Sequence, residues 1–201
     1  MNSSPERRSQ IRDAAMRVFA RKGYQETVVE DIAEEAGVSK GTIYTYFDRK
    51  EELLGAVHQG LFEEMEVRQA QVLESDRSPL GKIRALLHDF VDIVGGKEDR
   101  AQVLLDIWVA GMRDPDRFEI NFAEAYAEYR ALLRELLEEA QARGDVPDDL
   151  PKIAPSVLIG AIDGLLLQWL LDPDSVDFAN SADDVLDVLY RGVAADGTLD
   201  G

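Results

Sequence analysis

The sequence predicts an all-α protein in which a small N-terminal domain precedes a larger helical domain. Apolar residues recur every three or four positions along nearly the whole chain, which is the period of an amphipathic helix. Ser, Thr, Asp or Pro precedes most of these segments, and Gly or Pro follows many of them, as at helix ends. No window alternates apolar and polar residues between hairpin turns, so no strand is predicted.

The residue composition narrows the chemistry of the chain. Its 201 residues include no Cys, which excludes disulfides and zinc bound by Cys. His58 and His88 lack the carboxylate spacing of helical metal sites, so neither a metal nor a cofactor is expected. The sequence shows no Gly-rich phosphate loop and no nucleophile near a base, so an enzyme is not expected.

Charge is distributed unevenly along the chain. The formal net charge is −18, which by itself repels nucleic acid. However, residues 1–60 carry 9 Lys and Arg against 10 Asp and Glu, whereas residues 61–201 carry 13 against 30. The first segment is therefore almost neutral. The acidity of the remainder favours solubility, and adaptation to high salt is the alternative explanation.

Two helices are predicted near the N-terminus. The first follows the cap and first-turn proline of Ser4-Pro5 and stops at Gly23. The second is short and ends at Gly37. We expect it to begin with a capping box, in which the Thr27 hydroxyl and the Glu30 carboxylate each accept a hydrogen bond from the other residue's backbone N–H.

The third and fourth helices follow closely. Ser39 is predicted to cap the third helix, which runs to about Phe47. Asp48 and Glu51 resemble a second capping box, and this box is predicted to begin a long helix near residue 49.

Five further helices are predicted from the same signals. Their boundaries are Ser78-Pro79 to Gly95-Gly96, Asp99 to Arg113, Asp114-Pro115 to Gly144, Asp148–Pro151 to Asp172-Pro173, and Ser181 onward. The most apolar segment, 153–171, is interrupted by polar residues, so a buried helix is expected in place of a membrane span. No apolar run follows the early Arg residues as in a signal peptide, so a cytoplasmic location is expected.

The second and third helices form a predicted helix-turn-helix. Ala33 is small where the two helices cross, Gly37 permits the left-handed backbone of the turn, and Ile43 anchors the second helix in the core. The N-terminal end of that helix would then be free to enter the major groove of DNA. The alternative is a generic three-helix core whose polar faces are only solvated.

The outward residues of this segment fit DNA. Backbone amides at the start of the third helix suit a phosphate, and Lys40 is a donor to a base or a phosphate. Gly41 is unfavourable inside a helix, but a bare backbone can approach DNA closely. The candidate DNA-binding residues are Thr27, Ser39, Lys40, Gly41, Thr42, Tyr44, Thr45, Tyr46 and Lys50.

Residues 7–60 resemble the N-terminal domain of TetR/AcrR-type transcriptional regulators. The matching positions are Ile11–Phe19, Gly23, Thr27, Ile32-Ala33, Ala36–Tyr44, Tyr46-Phe47 and Lys50–Leu54. The resemblance implies that residues 1–50 form a helix-turn-helix DNA-binding domain. It also implies that residues 51–201 form an effector-binding and dimerisation domain.

A homodimer is expected from the apolar character of the segment 153–171, which is apolar nearly all round. Two-fold symmetry would place two recognition helices on a palindromic double-stranded operator. The candidate interface residues are Ile159, Gly160, Gly164, Leu167, Val185, Val188 and Leu189. The alternative is that both C-terminal helices only fill the core of their own chain.

A small and largely apolar effector is the expected ligand of the larger domain, and its binding would release a repressor from DNA. The candidate ligand-binding residues are Asp106, Trp108, Met112, Phe118, Phe122, Tyr126, Asp163 and Trp169. Each of them would equally suit plain core packing. The alternative function is a DNA-binding dimer without an effector, either controlled by protein partners or constitutive.

Overall fold

The computed structural model describes residues 4–95, 98–118 and 120–194. This part of the chain contains α-helices, one short 3-10 helix at Phe178–Asn180 and no strand, which confirms the all-α prediction. The helices are α1 Ser4–Lys22, α2 Val29–Glu35, α3 Lys40–Tyr46, α4 Lys50–Glu74, α5 Pro79–Gly95, α6 Glu98–Arg113, α7 Pro115–Phe118, α8 Phe122–Ala142, α9 Ala154–Leu171 and α10 Ser181–Ala194.

The turn between α2 and α3 follows from two local signals in the sequence. Gly37 has a φ of +65°, and the backbone N–H of Val38 donates to the Ala33 carbonyl at 2.9 Å, which closes the end of α2. Ser39 then caps α3, because its Oγ accepts a hydrogen bond from the Thr42 backbone N–H at 3.1 Å. The predicted helix-turn-helix is therefore formed.

Neither predicted capping box forms as expected, because a neighbouring carboxylate accepts the backbone bond in each case. The N-cap of α2 is Val28, whose backbone N–H donates to the Asp31 carboxylate at 3.1 Å, and Thr27 lies outside the helix. At α4 the backbone N–H of Asp48 donates to Glu52 at 2.9 Å. In each case the neighbouring carboxylate has the better geometry, so adjacent acidic residues left the register open in the sequence.

The long helix predicted between Pro115 and Gly144 is wrong, because the structure divides it into α7 and α8. The Asp114 carboxylate accepts a hydrogen bond from the Arg117 backbone N–H at 3.2 Å, which supports a single turn. Ile120 is then buried between the two helices. A continuous helix would place Phe118, which packs on the Tyr24 ring, and the buried Ile120 on different faces, so bringing both to the core favours the break.

The chain folds into two compact units. The first contains α1–α3, α4 up to residue 64, α6 and α7; the second contains the rest of α4, α5, most of α8, α9 and α10. This division differs from a boundary at residue 50, because α6 packs against α1. The prediction could not include this contact, since the two helices lie far apart in the sequence.

The first unit has a continuous apolar core. Ile11, Phe19, Ile32, Ile43 and Phe47 are all buried, so the three N-terminal helices share one interior. The core fixes α3 by its inner face and leaves its outer face to solvent.

The second unit packs its helices around a separate core. Phe178 is buried, and a Cβ added at Gly95 would lie 2.6 Å from its ring, so the absence of a side chain at Gly95 lets α5 approach it closely. The Trp169 ring stacks on Phe178 with 5.6 Å between centroids.

Within the described residues, α9 is the helix whose length and composition would suffice to cross a membrane. The core helices of proteins that meet no membrane pass the same test. Leu158, Ile162 and Leu166 of α9 are buried within the protein, whereas most of the helix is not. The helix is therefore buried along one face of the single chain, which corrects the expectation of a fully buried helix.

Candidate nucleic-acid interface and effector residues

Helix α3 presents a polar face to solvent over a buried anchor. Ile43 is fully buried, whereas Lys40, Tyr44 and Thr45 are exposed. Ser39 and Gly41 are exposed, and Thr42 and Tyr46 are half-buried. The residues of this segment that are predicted to touch DNA therefore all reach solvent at least in part, and together we call them the α3 face: Ser39, Lys40, Gly41, Thr42, Tyr44, Thr45 and Tyr46.

Hydroxyl groups organise the first turn of the α3 face. The Ser39 and Thr42 hydroxyl oxygens lie 2.9 Å apart, and Ser39 also caps the helix. The Thr45 hydroxyl donates to the Gly41 carbonyl at 3.0 Å. These bonds hold the side chains in single rotamers, so little conformational entropy is lost when the surface meets a ligand.

Nothing in the fold requires glycine at position 41. A Cβ built there would meet the Ser39 hydroxyl at 3.7 Å, an ordinary van der Waals distance, and the backbone has no positive φ. Because glycine inside a helix is unfavourable by about 1 kcal/mol relative to alanine, its use here favours close approach of an external molecule.

Lys40 is held at the entrance of this surface. Its Nζ donates to the Glu30 carboxylate of α2 at 2.5 Å and lies 5.7 Å from the centroid of the Tyr44 ring. The hydrogen bond with Glu30 raises the pKa of Lys40, and the same bond lowers the pKa of Glu30. The lysine is therefore charged and oriented along the outside of α3.

Two residues predicted to contact DNA have internal bonding partners. Thr27 is 1% exposed, and its hydroxyl donates to the Gly23 carbonyl at 2.7 Å. Lys50 donates through Nζ to the carbonyls of Tyr24, Gln25 and Thr27 at 2.8, 3.2 and 2.9 Å. Burial lowers the pKa of Lys50. The bonded groups of both residues stabilise the α1–α2 connection.

The predicted ligand-binding residues of the first unit differ in their contacts and in their exposure to solvent. Asp106 of α6 accepts a hydrogen bond from the Tyr24 backbone N–H at 2.8 Å, and the Phe118 ring packs on the Tyr24 ring with centroids 5.8 Å apart. Trp108 is half-buried, whereas Met112 is 73% exposed. Asp106 and Phe118 thus stabilise the α1–α2 connection.

Phe122 contacts His58, a residue that no pattern in the sequence marks as part of a ligand site. The His58 ring lies 5.6 Å from the Phe122 ring and 4.3 Å from the Phe62 ring, between centroids. Its Nε2 is buried and has no hydrogen-bond partner within the described residues. Burial lowers the pKa of His58 to about 4, so the ring is neutral at pH 7.

The second unit contains a half-buried tyrosine–carboxylate pair. The Tyr126 hydroxyl donates to the Asp163 carboxylate at 2.8 Å. Burial raises the pKa of Asp163, and burial together with the nearby carboxylate raises the pKa of Tyr126. Both residues were predicted to contact a ligand, as was Trp169, which stacks on Phe178.

The predicted interface residues fall into two groups. Ile159 and Val185 are buried within the chain, whereas Leu167 is 44% and Val188 is 70% exposed. A Cβ at Gly160 or at Gly164 would meet nothing within 4 Å, so both have open space beside them. The side chain of Leu189 lies outside the described residues.

Models of known protein families match both the N-terminal and the C-terminal part of the chain. The family model of bacterial regulatory proteins of the tetR family matches residues 11–57, which hold the helix-turn-helix. The model of the BetI-type transcriptional repressor C-terminal domain matches residues 79–192, which is more than half of the chain. The chain belongs to the TetR family of transcriptional regulators.

Curated relatives of this TetR-family chain are also regulators. The HTH-type transcriptional regulator TtgR of Pseudomonas putida is 32% identical over 186 residues, covering 90% of this chain and 89% of TtgR. The HTH-type transcriptional repressor KstR2 of Mycobacterium tuberculosis is 31% identical over 80 residues, covering 40% of each protein. The TetR-family chain is accordingly a transcriptional regulator and not an enzyme.

Solved TetR-like structures share the fold over nearly the whole chain. FadR of Bacillus subtilis, solved in complex with stearoyl-CoA, is 26% identical, with a TM-score of 0.75 over 92% of this chain and 98% of FadR. The fatty acid degradation regulator FadR of Bacillus halodurans is 26% identical, with a TM-score of 0.77 over 96% and 98%. The helical fold of this TetR-family chain is therefore also found in solved structures of transcriptional regulators.

Proposed function

We propose that this chain is a cytoplasmic homodimeric repressor that binds a palindromic operator and leaves it when a small, largely apolar effector binds. The observation that carries the DNA-binding part is the α3 face, in which polar side chains and a bare Gly41 lie over the buried anchor Ile43. A surface that only faced solvent would gain nothing from glycine at this position.

DNA binding is tested by fluorescence anisotropy with a duplex that the wild-type chain selects from a random-sequence pool. Phosphate contacts make log K fall linearly with log salt, with a slope of about −0.9 for each phosphate neutralised. We expect Lys40→Ala to weaken binding at least about tenfold, as for loss of one base contact. Lys152→Ala changes an exposed lysine beside α9 and should leave affinity unchanged. A slope of zero for the wild type would refute DNA binding.

Dimerisation is supported by a row of residues on α9. Val157, Gly160, Gly164, Leu167 and Leu171 follow one another at intervals of three and four, and we call this row the α9 seam. Val157, Leu167 and Leu171 are exposed in the single chain. Apolar residues at this spacing suit close packing against another helix, and the two glycines permit a short distance between the axes.

Light scattering tests the dimer. Leu167→Glu places a charge in the α9 seam, where pairing with a second copy would bury it, so we expect a monomer at micromolar concentration. Val67→Glu makes the same change at another exposed apolar position, on α4, and should leave the mass of the wild type. A monomeric wild type would refute this part of the proposal.

Effector binding is supported by polar groups that are partly or wholly shielded from solvent in each unit. The Nε2 atom of His58 is buried between Phe62 and Phe122, and the second unit holds the Tyr126–Asp163 pair. Such isolated polar groups within apolar surroundings are typical of ligand sites. Because FadR of Bacillus subtilis was solved with stearoyl-CoA, a long-chain acyl-CoA is the first ligand class to test.

Release of DNA tests the effector. Stearoyl-CoA titrated into the protein–duplex complex should lower the anisotropy, whereas coenzyme A alone should not. His58→Leu removes the buried nitrogen and should weaken the response of DNA release to stearoyl-CoA. If neither stearoyl-CoA nor a panel of apolar molecules displaces the duplex, a DNA-binding dimer without a small effector becomes the better description.

A further inference from the structure

The N-terminal segment has nine basic residues, and each has a partner within the protein. Six form ion pairs with carboxylates: Arg12, Arg17, Arg21, Lys22, Lys40 and Arg49. Lys50 donates to three backbone carbonyls, Arg7 donates to Gln10, and Arg8 lies over the Phe47 ring. Few basic residues of this segment are therefore available to bind a DNA phosphate.

Helix α2 supplies the carboxylates that pair with four of these six basic residues. Glu35 pairs with both Arg17 and Arg21, at 2.7 and 3.4 Å. Asp31 pairs with Lys22 and Glu30 pairs with Lys40, each at 2.5 Å. The first of the two helix-turn-helix helices therefore neutralises basic residues that would otherwise attract any duplex.

Glu30 differs from Asp31 and Glu35 because its partner belongs to the recognition helix. Lys40 is the first residue of α3, and Glu30 holds its ammonium group beside the Tyr44 ring. Both side chains are at least half exposed, so a duplex seated on the α3 face would meet them together.

A phosphate and a base edge would act differently on this pair. A phosphate oxygen near Lys40 also approaches the Glu30 carboxylate and is repelled by it. An ammonium group has three donors, so Lys40 can remain bonded to Glu30 and donate a second hydrogen bond to a guanine in the major groove. Glu30 therefore opposes phosphate contacts, which DNA of every sequence offers, and tolerates a guanine contact, which only some sequences offer at that position.

We propose that Glu30 is a specificity-determining residue, which holds Lys40 for base readout and disfavours its use in sequence-independent phosphate contacts. This role rests on the proposed binding of DNA through the α3 face. As a consequence, the affinity for the operator is high relative to the affinity for other DNA, because Glu30 weakens binding to the other DNA.

The test compares Glu30→Gln with the wild type on two duplexes, the selected duplex and a shuffled duplex of the same composition. We expect Glu30→Gln to bind the shuffled duplex about three- to tenfold more tightly at 0.15 M salt, because the repelling charge is gone. The salt slope on the shuffled duplex should steepen by about 0.9, the value for one added phosphate contact. Affinity for the selected duplex should rise less or fall.

Two controls separate this role from a general charge effect. Glu34→Gln removes the same charge from an exposed position on the same helix, and it should leave the ratio of the two affinities unchanged. In a Lys40→Ala background, Glu30→Gln should no longer alter the ratio. Circular dichroism should show wild-type helix content for both single variants, because the side chains are exposed.

The outcomes are distinguishable. An unchanged ratio in Glu30→Gln, or an equal change in Glu34→Gln, would overturn the role of Glu30 and leave DNA binding intact. A wild-type chain that binds the selected and shuffled duplexes equally would overturn sequence-specific binding itself, and the role of Glu30 with it.

Discussion

At the scale of single residues, Gly41 is a position where stability of the fold and binding of DNA favour different side chains. The fold leaves room for a methyl group there, so glycine only weakens the helix. The position lies on the α3 face between Lys40 and Thr42, where a side chain would hold DNA at a distance.

Gly41→Ala should therefore raise stability and reduce affinity for DNA. We expect the free energy of unfolding to increase by up to about 1 kcal/mol, the helix preference of alanine over glycine. Anisotropy with the selected duplex should show weaker binding. A variant that is more stable and binds equally well would show that the bare backbone has no role in recognition.

Lys50 is predicted from the sequence to contact DNA, but its ammonium group donates hydrogen bonds to three backbone carbonyls of the protein. We expect Lys50→Met to lower the free energy of unfolding by about 1–3 kcal/mol, because three carbonyls lose a charged donor. The salt slope for DNA should keep its wild-type value. Thermal melts and anisotropy across salt measure the two effects, with Lys22→Met as a matched control on an exposed lysine. A slope reduced by about 0.9 would instead assign Lys50 to a phosphate.

His58 makes stability depend on pH. Its pKa is about 4 in the folded protein and about 6.5 when unfolded, so the unfolded chain binds more protons between these values. The free energy of unfolding therefore rises with pH from about 4 to 6.5. His58→Leu removes this contribution, so urea unfolding should show a smaller loss between pH 7.5 and pH 5 than in the wild type. Equal losses would contradict the buried neutral ring.

At the scale of helices, glycine at position 111 has a role opposite to that at position 41. A Cβ at Gly111 of α6 would lie 2.7 Å from the Phe122 ring and 2.9 Å from the Ile120 side chain. The close approach holds the segment between α7 and α8 against α6.

Gly111→Ala should therefore destabilise the protein, although alanine favours the helix. We expect overpacking to lower the free energy of unfolding by about 1–3 kcal/mol. Chemical denaturation should show opposite signs for Gly111→Ala and Gly41→Ala, which are the same chemical change. Two shifts of the same sign would mean that the contacts at Gly111 relax freely.

The sequence predicted the helix-turn-helix well because its signals are local. Gly37 and Ser39 determine the turn and the cap within a few residues, so α3 begins where the sequence placed it. The break after α7 depends on burial of Ile120 and on packing of Phe118 against Tyr24, and the bonds of Lys50 end on carbonyls 23–26 residues earlier. Such distant partners leave no periodic pattern in the sequence, so neither feature could be predicted.

At the scale of the whole molecule, the net charge of −18 opposes the compact state through repulsion between carboxylates. Added salt screens this repulsion, because the Debye length falls from about 30 Å at 0.01 M to about 10 Å at 0.1 M. The N-terminal segment contributes little to it, because residues 1–60 are nearly neutral.

We expect the melting temperature to rise by several degrees between 0.01 and 0.3 M sodium chloride at pH 7, since most of the screening occurs in this range. The rise should shrink at pH 5, near the calculated isoelectric point of 4.4, where the net charge is small. Scanning calorimetry at fixed protein concentration measures both. A melting temperature that falls with salt would indicate that the ion pairs outweigh the repulsion.

The two tryptophans of the chain are divided between the compact units. Trp108 lies in the first unit and Trp169, stacked on Phe178, lies in the second. Trp108→Phe and Trp169→Phe would each leave a single indole, so the emission spectrum of each variant reports on one half of the molecule. Stopped-flow mixing with an inducer could then show which half responds first, without any attached dye.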